Sequence, residues 1–537
     1  MNIILKYCFF FGFGVLTLCA NALAGSFDLT ILHTNDLHAH LASFDTYGSL
    51  CDVTKETSDE CQAGSARLAA AIAAERAKGG NILLLDAGDQ FQGTLFFTKY
   101  KGMACAEMMQ RLRYDAMTLG NHEFDEGSIA LANFLKSLSF PALAVNLDTS
   151  GSPLLSGLIQ PYRMLDVNGR KIGVIGVVNP GTPQLSTPEP DLIFSPPSGP
   201  VASAVHDLER QGANIIVVLS HLGLDGDRTL AAEVAGLDII VGGHSHVLLA
   251  NDDPDAVGPC PLPVTGPDGK IVQIVTADYW GRYLGIIHLT FDDSGHVTGR
   301  SGSPVKLAPS LPENRETAKI VEQLQAPLKE LQGEKLGRST TAMSNEPCRR
   351  AECLPGDLRA EALLEAGRKL GAVAAVCNGG GVRTGIPQGE IRRGDVLAAY
   401  PFANTLVVLT LNGEDLWTAI EHGLSALGST NNTGRFLQVA GIRYVFDSNR
   451  PAGERLVSVD IADSAGHFQP LEHNASYRIA LSRFLLRGGD GYTLFSEQGR
   501  DIFNDGMELS DITCNYIRNN SPLASSLDGR IKNMAED

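Results

Sequence analysis

Short apolar runs alternate with polar loops and helix-favouring stretches along the first half of the chain. Phe27 to Leu32, Asn81 to Leu85, Ala116 to Leu119, Lys171 to Val178, Asn214 to Leu219 and Leu237 to Val241 are short runs rich in apolar residues. That pattern suits strands buried on both faces. Strands alternating with helices predict a layered α/β domain over residues 25–310. The stretch 311–336 is charged, favours helix and contains no apolar strand, so a linker helix ending near Gly337 is expected there. A second α/β domain is expected over 337–537. No internal repeat is visible, and the only compositionally biased segment is the Pro/Ser/Gly-rich loop 180–200.

The first residues follow a different rule. Lys6 closes a short basic region, Tyr7 to Ala20 is apolar, and Ala22-Leu23-Ala24 is a small-x-small site before Gly25. A cleaved export signal over 1–24 is expected, and with it a periplasmic or secreted protein. The run is too short to span a membrane, no later stretch approaches the ~18 apolar residues a span needs, and the polar residues 530–537 suggest no lipid anchor.

A chain of 537 residues asks for more than one core. With 44% hydrophobic and 19% charged residues, the composition is that of a folded globular protein. The formal net charge of −18 argues against a nucleic-acid partner, which would demand a basic footprint. An anionic small substrate remains compatible if local cations outweigh the global field over about 10 Å. Loss of the leader would remove Cys8 and Cys19 and leave the other cysteines in an oxidising compartment, where disulfides are the default. Cys51 with Cys61 and Cys348 with Cys353 are close enough to close small loops; the state of Cys105, Cys260, Cys377 and Cys514 cannot be read from spacing.

Five segments of the first domain end in metal-capable side chains: Asp36-Leu37-His38, Gly88-Asp89, Gly120-Asn121-His122-Glu123, Ser220-His221 and Gly242-Gly243-His244-Ser245-His246. Each sits just past the carboxyl end of an expected strand, the edge at which open α/β sheets bind ligands. One histidine in such a loop is more often a satisfied core residue; five segments in this order converge on a site. Carboxylate, imidazole and amide donors suit borderline divalent metals better than calcium, and the number of donors exceeds what one structural zinc uses.

The order of these motifs resembles the calcineurin-type metallophosphoesterases. The flanks Ile31-Leu32-His33-Thr34-Asn35-Asp36, Leu85-Asp86-Ala87-Gly88-Asp89 and Leu119-Gly120-Asn121-His122-Glu123-Phe124-Asp125 resemble the 5′-nucleotidases within them. Asn378-Gly379-Gly380-Gly381-Val382-Arg383, Pro401-Phe402 and Gly488-Gly489-Asp490-Gly491 are similar to the nucleotide-binding domain of that family. The resemblance implies a four-layer α/β sandwich followed by an α/β nucleotide-binding domain. It also implies two divalent ions, zinc first, with manganese, cobalt or magnesium as alternatives. Carried over motif by motif, Asp36, His38 and His246 hold one ion, Asn121, His221 and His244 the other, and Asp89 bridges. Position 246 departs from the relatives, which place Asn or Gln there. His122, oriented by Asp125, would face the scissile phosphate. Arg349 and Arg383 would contact phosphate, Phe402 and Phe484 would sandwich the base, and Asn378 and Asp490 would bond base or ribose. Arg349 between two cysteines is more similar to the animal ecto-5′-nucleotidases than to the bacterial UDP-sugar hydrolases. The expected activity is hydrolysis of nucleoside 5′-phosphates. The other readings are a broader nucleotide or UDP-sugar hydrolase, a cyclic-nucleotide phosphodiesterase, and a non-catalytic secreted nucleotide-binding or adhesive protein.

Overall fold

The computed structural model of the chain describes residues 26–44, 51, 61–186, 188–402, 404–428, 434–463, 466–523 and 526–535; the export signal expected over 1–24 lies outside them. Residue alternation within the strands assigns the layers of the first domain. Leu29 and Ile31 of the strand Phe27–Thr34 face the same core as Leu83 and Leu85 of Ile82–Asp86, whereas Leu32 and Leu84 face the opposite core. The first of these cores is shared with a second sheet, whose far side is closed by the helices Ser198–Arg210 and Leu224–Glu233. The other face of the first sheet carries Ser65–Ala77, Met103–Leu112 and Gly127–Ser137. The result is the four-layer helix–sheet–sheet–helix sandwich.

The first sheet has eight strands and the second six. Their parallel registers bring the functional ends level. Thr34 lies opposite Asp86, and Ser220 lies opposite both Val177 and Gly242. The loops that follow these residues therefore emerge at one edge.

In the second domain a five-stranded sheet is centred on Ala374–Asn378, Ser476–Ser482 and Thr405–Asn412. Leu406 and Val408 point to the helices Leu354–Arg368 and Leu509–Asn520, while Val407, Leu409 and Leu411 point to Gly413–Leu424. A smaller four-stranded sheet includes Ile442–Phe446 and the C-terminal strand Ile531–Asn533.

The connector differs from the single helix expected over 311–336. It forms two helices, Arg315–Gln325 and Leu328–Gly333, and then the strand Lys335–Ser339, which pairs with Gly389–Arg392 of the second domain. Pro327 stands at the break: Ala326 keeps helical backbone before it (φ −53°, ψ −45°), but the proline has no N–H to continue the helix ladder. The connector is also docked. Val321 and Leu328 are buried in the core of the first domain, and the Tyr100 hydroxyl donates to the Leu324 carbonyl at 2.8 Å.

Cys51–Cys61 and Cys348–Cys353 are bonded as the spacing suggested. Cys105, Cys260, Cys377 and Cys514 are buried thiols and pack as small hydrophobes. Among the described residues no helix is long and apolar enough to cross a membrane.

Candidate active site

The strand Phe27–Thr34 delivers Asp36 and His38, Ile82–Asp86 delivers Asp89, Ala116–Thr118 delivers Asn121, Ile215–Ser220 delivers His221, and Ile239–Gly242 delivers His244 and His246. The loops place these side chains in two groups, Asp36 with His38 and His246, and Asp89 with His221 and His244; within each group the donor atoms lie within 4.8 Å of one another. Asp89 stands between them, with Oδ2 3.1 Å from His221 Nε2 and 3.8 Å from His38 Nε2. Asp36 Oδ1 is 3.4 Å from His246 Nε2 and 3.9 Å from His221 Nε2.

This convergence strains the backbone. Asp36, His38, Asp89, His244 and His246 have φ of 52, 47, 57, 74 and 54°, a left-handed region that costs about 1–3 kcal/mol per non-glycine residue and that gathers at functional sites. The loops are held there by Glu123, a residue of the Gly-Asn-His-Glu motif that stands outside both donor groups. Its fully buried carboxylate accepts the backbone N–H groups of Asp89, Gln90, Phe91 and Gly120 at 3.0, 2.7, 3.2 and 2.6 Å. Burial and the nearby Asp89 charge push this carboxyl up to about 7. Gly120 is required by close approach, since a Cβ there would sit 2.2 Å from Asp89 Oδ1.

The donor set fits two divalent cations. His38 Nδ1 donates to the Phe91 carbonyl at 2.9 Å and His221 Nδ1 to the Ala87 carbonyl at 2.7 Å. Such contacts fix the tautomer and leave the Nε2 lone pairs pointing into the cluster. His38 Nε2 and His246 Nε2 lie 3.1 Å apart. Asn121 Oδ1 is buried with no hydrogen-bond partner. An orphaned acceptor of this kind costs about 1–3 kcal/mol unless something binds it. His246 has its own support. Its ring stacks on Tyr279 at 4.7 Å and 19°, and the Arg282 guanidinium lies 4.1 Å from the Tyr279 ring centre.

Beside the clusters, His122 Nδ1 meets Asp125 Oδ2 at 2.6 Å. Burial by itself would lower the imidazole pKa, but the Asp125 and Asp89 carboxylates prevail and raise it above the usual histidine value. Asp125 Oδ1 accepts a hydrogen bond from Ser186 Oγ at 2.5 Å.

The second domain covers this edge. Arg383 follows the turn Gly379–Gly381, and its Nη2 reaches His38 Nε2 at 3.0 Å across the domain boundary. Burial and the adjacent Arg349 pull the Arg383 guanidinium down to about 10. Two arginines lining one cavity, close enough for one to lower the other's pKa, are unfavourable by themselves and complementary to an anion between them. Phe402 has its ring centre 5.9 Å from that of His122, Asn378 Nδ2 donates to Asp490 Oδ2 at 2.6 Å, and Phe484 packs so closely on Gly489 that a Cβ there would be 2.5 Å from the ring.

A cavity of about 480 Å³ joins the two halves. Asp89, Asn121, His122, Asp125, His244 and His246 line it from the first domain, and Arg349, Asn378, Arg383, Phe402, Phe484 and Asp490 from the second. Asp36, His38 and His221, each with 0% exposure, lie behind this lining against Asp89 and His246. The structure thus brings together every residue singled out from the sequence as a ligand, catalytic or substrate residue. It adds Gln92, Ser186, Asn404, Arg483 and Arg487 to the lining. Arg483 and Arg487 flank Phe484 directly before the Gly488–Gly491 run, a cationic pair at helical spacing that the sequence displays. Asn404 and Ser186 carried no such signal. Asn404 Oδ1 accepts from the Phe484 backbone at 3.2 Å and ties the two aromatic loops together.

The chain matches the family model described as calcineurin-like phosphoesterase over residues 29–248 and that described as 5′-nucleotidase, C-terminal domain, over residues 335–497. It is 37% identical to a 5′-nucleotidase of Diplobatis ommata, over 96% of this chain and 92% of that one. It is 34% identical to a snake venom 5′-nucleotidase of Crotalus adamanteus, over 95% of this chain and 89% of the other. Among solved structures, a 5′-nucleotidase precursor from Thermus thermophilus superimposes with a TM-score of 0.88 at 39% identity, covering 95% of this chain and all of that one.

Proposed function

We infer the chemistry of this chain from its family: it belongs to the 5′-nucleotidases and is a metal-dependent phosphoric monoester hydrolase acting on small-molecule nucleotides. We propose that Asp36, His38 and His246 hold one divalent cation and Asn121, His221 and His244 the other, with Asp89 shared. Imidazole, carboxylate and amide donors favour zinc, with manganese, cobalt or magnesium as alternatives. Bound ions supply positive charge to the phosphoryl oxygens and lower the pKa of an attacking water toward about 7.

The chain's own residues do the rest. Arg349 and Arg383 grip the phosphate oxygens, because guanidinium forks match their geometry. Phe402 and Phe484 bracket the base, and Asn378 with Asp490 bond base or ribose. His122, held through Nδ1 by Asp125, presents its other nitrogen to the cavity, where it stabilises charge on the phosphoryl group or protonates the leaving 5′-oxygen. The observation that carries this reading is the meeting, in one interdomain cavity, of both donor groups with the paired arginines and the aromatic residues. An AMP-like nucleoside 5′-monophosphate is the substrate that uses all of them.

We also propose export to a periplasmic or extracellular location. The leader-like residues 1–24, the two disulfides, which form in oxidising compartments, and the snake venom relative support it.

The base clamp is tested by comparing two substrates. Stacking of a base on an aromatic side chain contributes about 1–3 kcal/mol, so Phe402→Ala or Phe484→Ala should lower kcat/KM for AMP by about 5- to 150-fold. Hydrolysis of a small aryl phosphate should barely change. Equal losses on both substrates would mean that the rings only pack the domain.

A further inference from the structure

We propose that Ser186 is a positioning residue of the hydrolytic reaction: it fixes the plane of the Asp125 carboxylate and through it the ring of His122. The proposal rests on the nucleotidase reading above and extends it to a residue in the loop 180–200.

The geometry is a chain of three side chains. His122 Nδ1 and Asp125 Oδ2 are 2.6 Å apart, and Ser186 Oγ donates to the other oxygen, Oδ1, at 2.5 Å. A carboxylate bonded through one oxygen alone can turn about its Cβ–Cγ bond. Holding the second oxygen removes that freedom and sets the direction in which the imidazole faces. Such charge-assisted bonds are the shorter and stronger class.

The serine is itself held. Its backbone N–H donates to the Thr182 carbonyl at 2.9 Å, Thr182 Oγ1 donates to the Asn179 carbonyl at 2.6 Å, and the Gly181 N–H donates to Asn179 Oδ1 at 2.8 Å. Thr182 is fully buried and Ser186 is 6% exposed. The segment Thr182–Leu185 also lies against the turn Gly489–Gly491 of the second domain, with Cα atoms within 8 Å. The Asp125–Ser186 bond sits, little exposed, beside that turn at the cavity wall, and a low-dielectric surround strengthens a polar contact. Ser186 lines the same cavity as His122 and Asp490, so it is placed to act on the site.

The test is a double-mutant cycle on the intact, metal-loaded protein with AMP. Ser186→Ala should lower kcat about 10-fold, the effect of removing one hydrogen bond to a charged group, with KM changed less than about twofold and metal content unaltered. Ser186→Thr, which keeps the hydroxyl, should restore most of the loss. In an Asp125→Ala background, Ser186→Ala should cost less than about twofold, because residues that act as a unit are not additive. The same loss in both backgrounds, a threonine variant as poor as alanine, or a rise in KM with kcat retained would overturn the proposal. If the unmodified protein released no phosphate from AMP, the nucleotidase reading itself would fail. Normal release by Ser186→Ala would sink the serine's role alone.

Discussion

Asp89→Asn should abolish nucleotide hydrolysis, lowering kcat/KM by on the order of 10³-fold or more, a larger loss than that from changing any terminal ligand. The reason is its position. Asp89 Oδ2 is within 3.1 Å of His221 Nε2 and 3.8 Å of His38 Nε2, so one carboxylate serves both donor groups. Asp89 Oδ1 also accepts the His122 backbone N–H at 2.9 Å, which ties the cluster to the histidine loop. An amide is nearly isosteric but neutral, so the fold should persist while the cluster loses the negative charge that the two proposed cations would share. Metal content, read by elemental analysis, should fall to one ion or none. Two tightly held ions with normal turnover would remove Asp89 from the bridging role.

The next largest effect is expected at His122. Its ring stands beside the donor groups rather than in them, 5.3 Å between centres from His38 and 5.9 Å from Phe402. His122→Ala should therefore leave two ions bound and KM for AMP little changed while kcat falls by about 10²- to 10⁴-fold, the range for a positioned acid–base or charge-stabilising group. The contrast with Asp89→Asn is diagnostic, because both variants lose turnover and only one loses metal. Loss of metal from His122→Ala would mean that the ring holds the cluster together instead of acting on the substrate.

Much of this candidate site was legible in the sequence because its candidate ligands sit where strand patterns end. Apolar runs such as Ile215–Ser220 mark the buried strands, and the polar residue that follows each run has to emerge at the ligand-binding edge. The same logic made Arg383 visible, after a glycine triplet that admits a ligand to the backbone. What pattern could not convey was support. Glu123 occupies a motif position, yet its work is to bind four backbone N–H groups, which no residue spacing encodes. Ser186 lies in a loop with neither strand nor helix period, and only the folded chain brings it to Asp125. The break in the connector was a missed signal, since Pro327 was in view. The strand Lys335–Ser339 carries no apolar alternation and is held by distant partners, Gly389–Arg392 on one side and Leu523, bridged to Ser339, on the other. His246 was visible as a departure from the relatives, but its stacking on Tyr279 was not.

The most direct test of the account is a metal titration of the metal-stripped, full-length protein in which bound zinc and phosphate release from AMP are followed together. The proposed pair of metal sites sharing Asp89, below the proposed nucleotide clamp, predicts no release without metal and full activity only as a second equivalent binds. Full activity in the stripped protein, or at one bound ion per chain with no further rise, would contradict it.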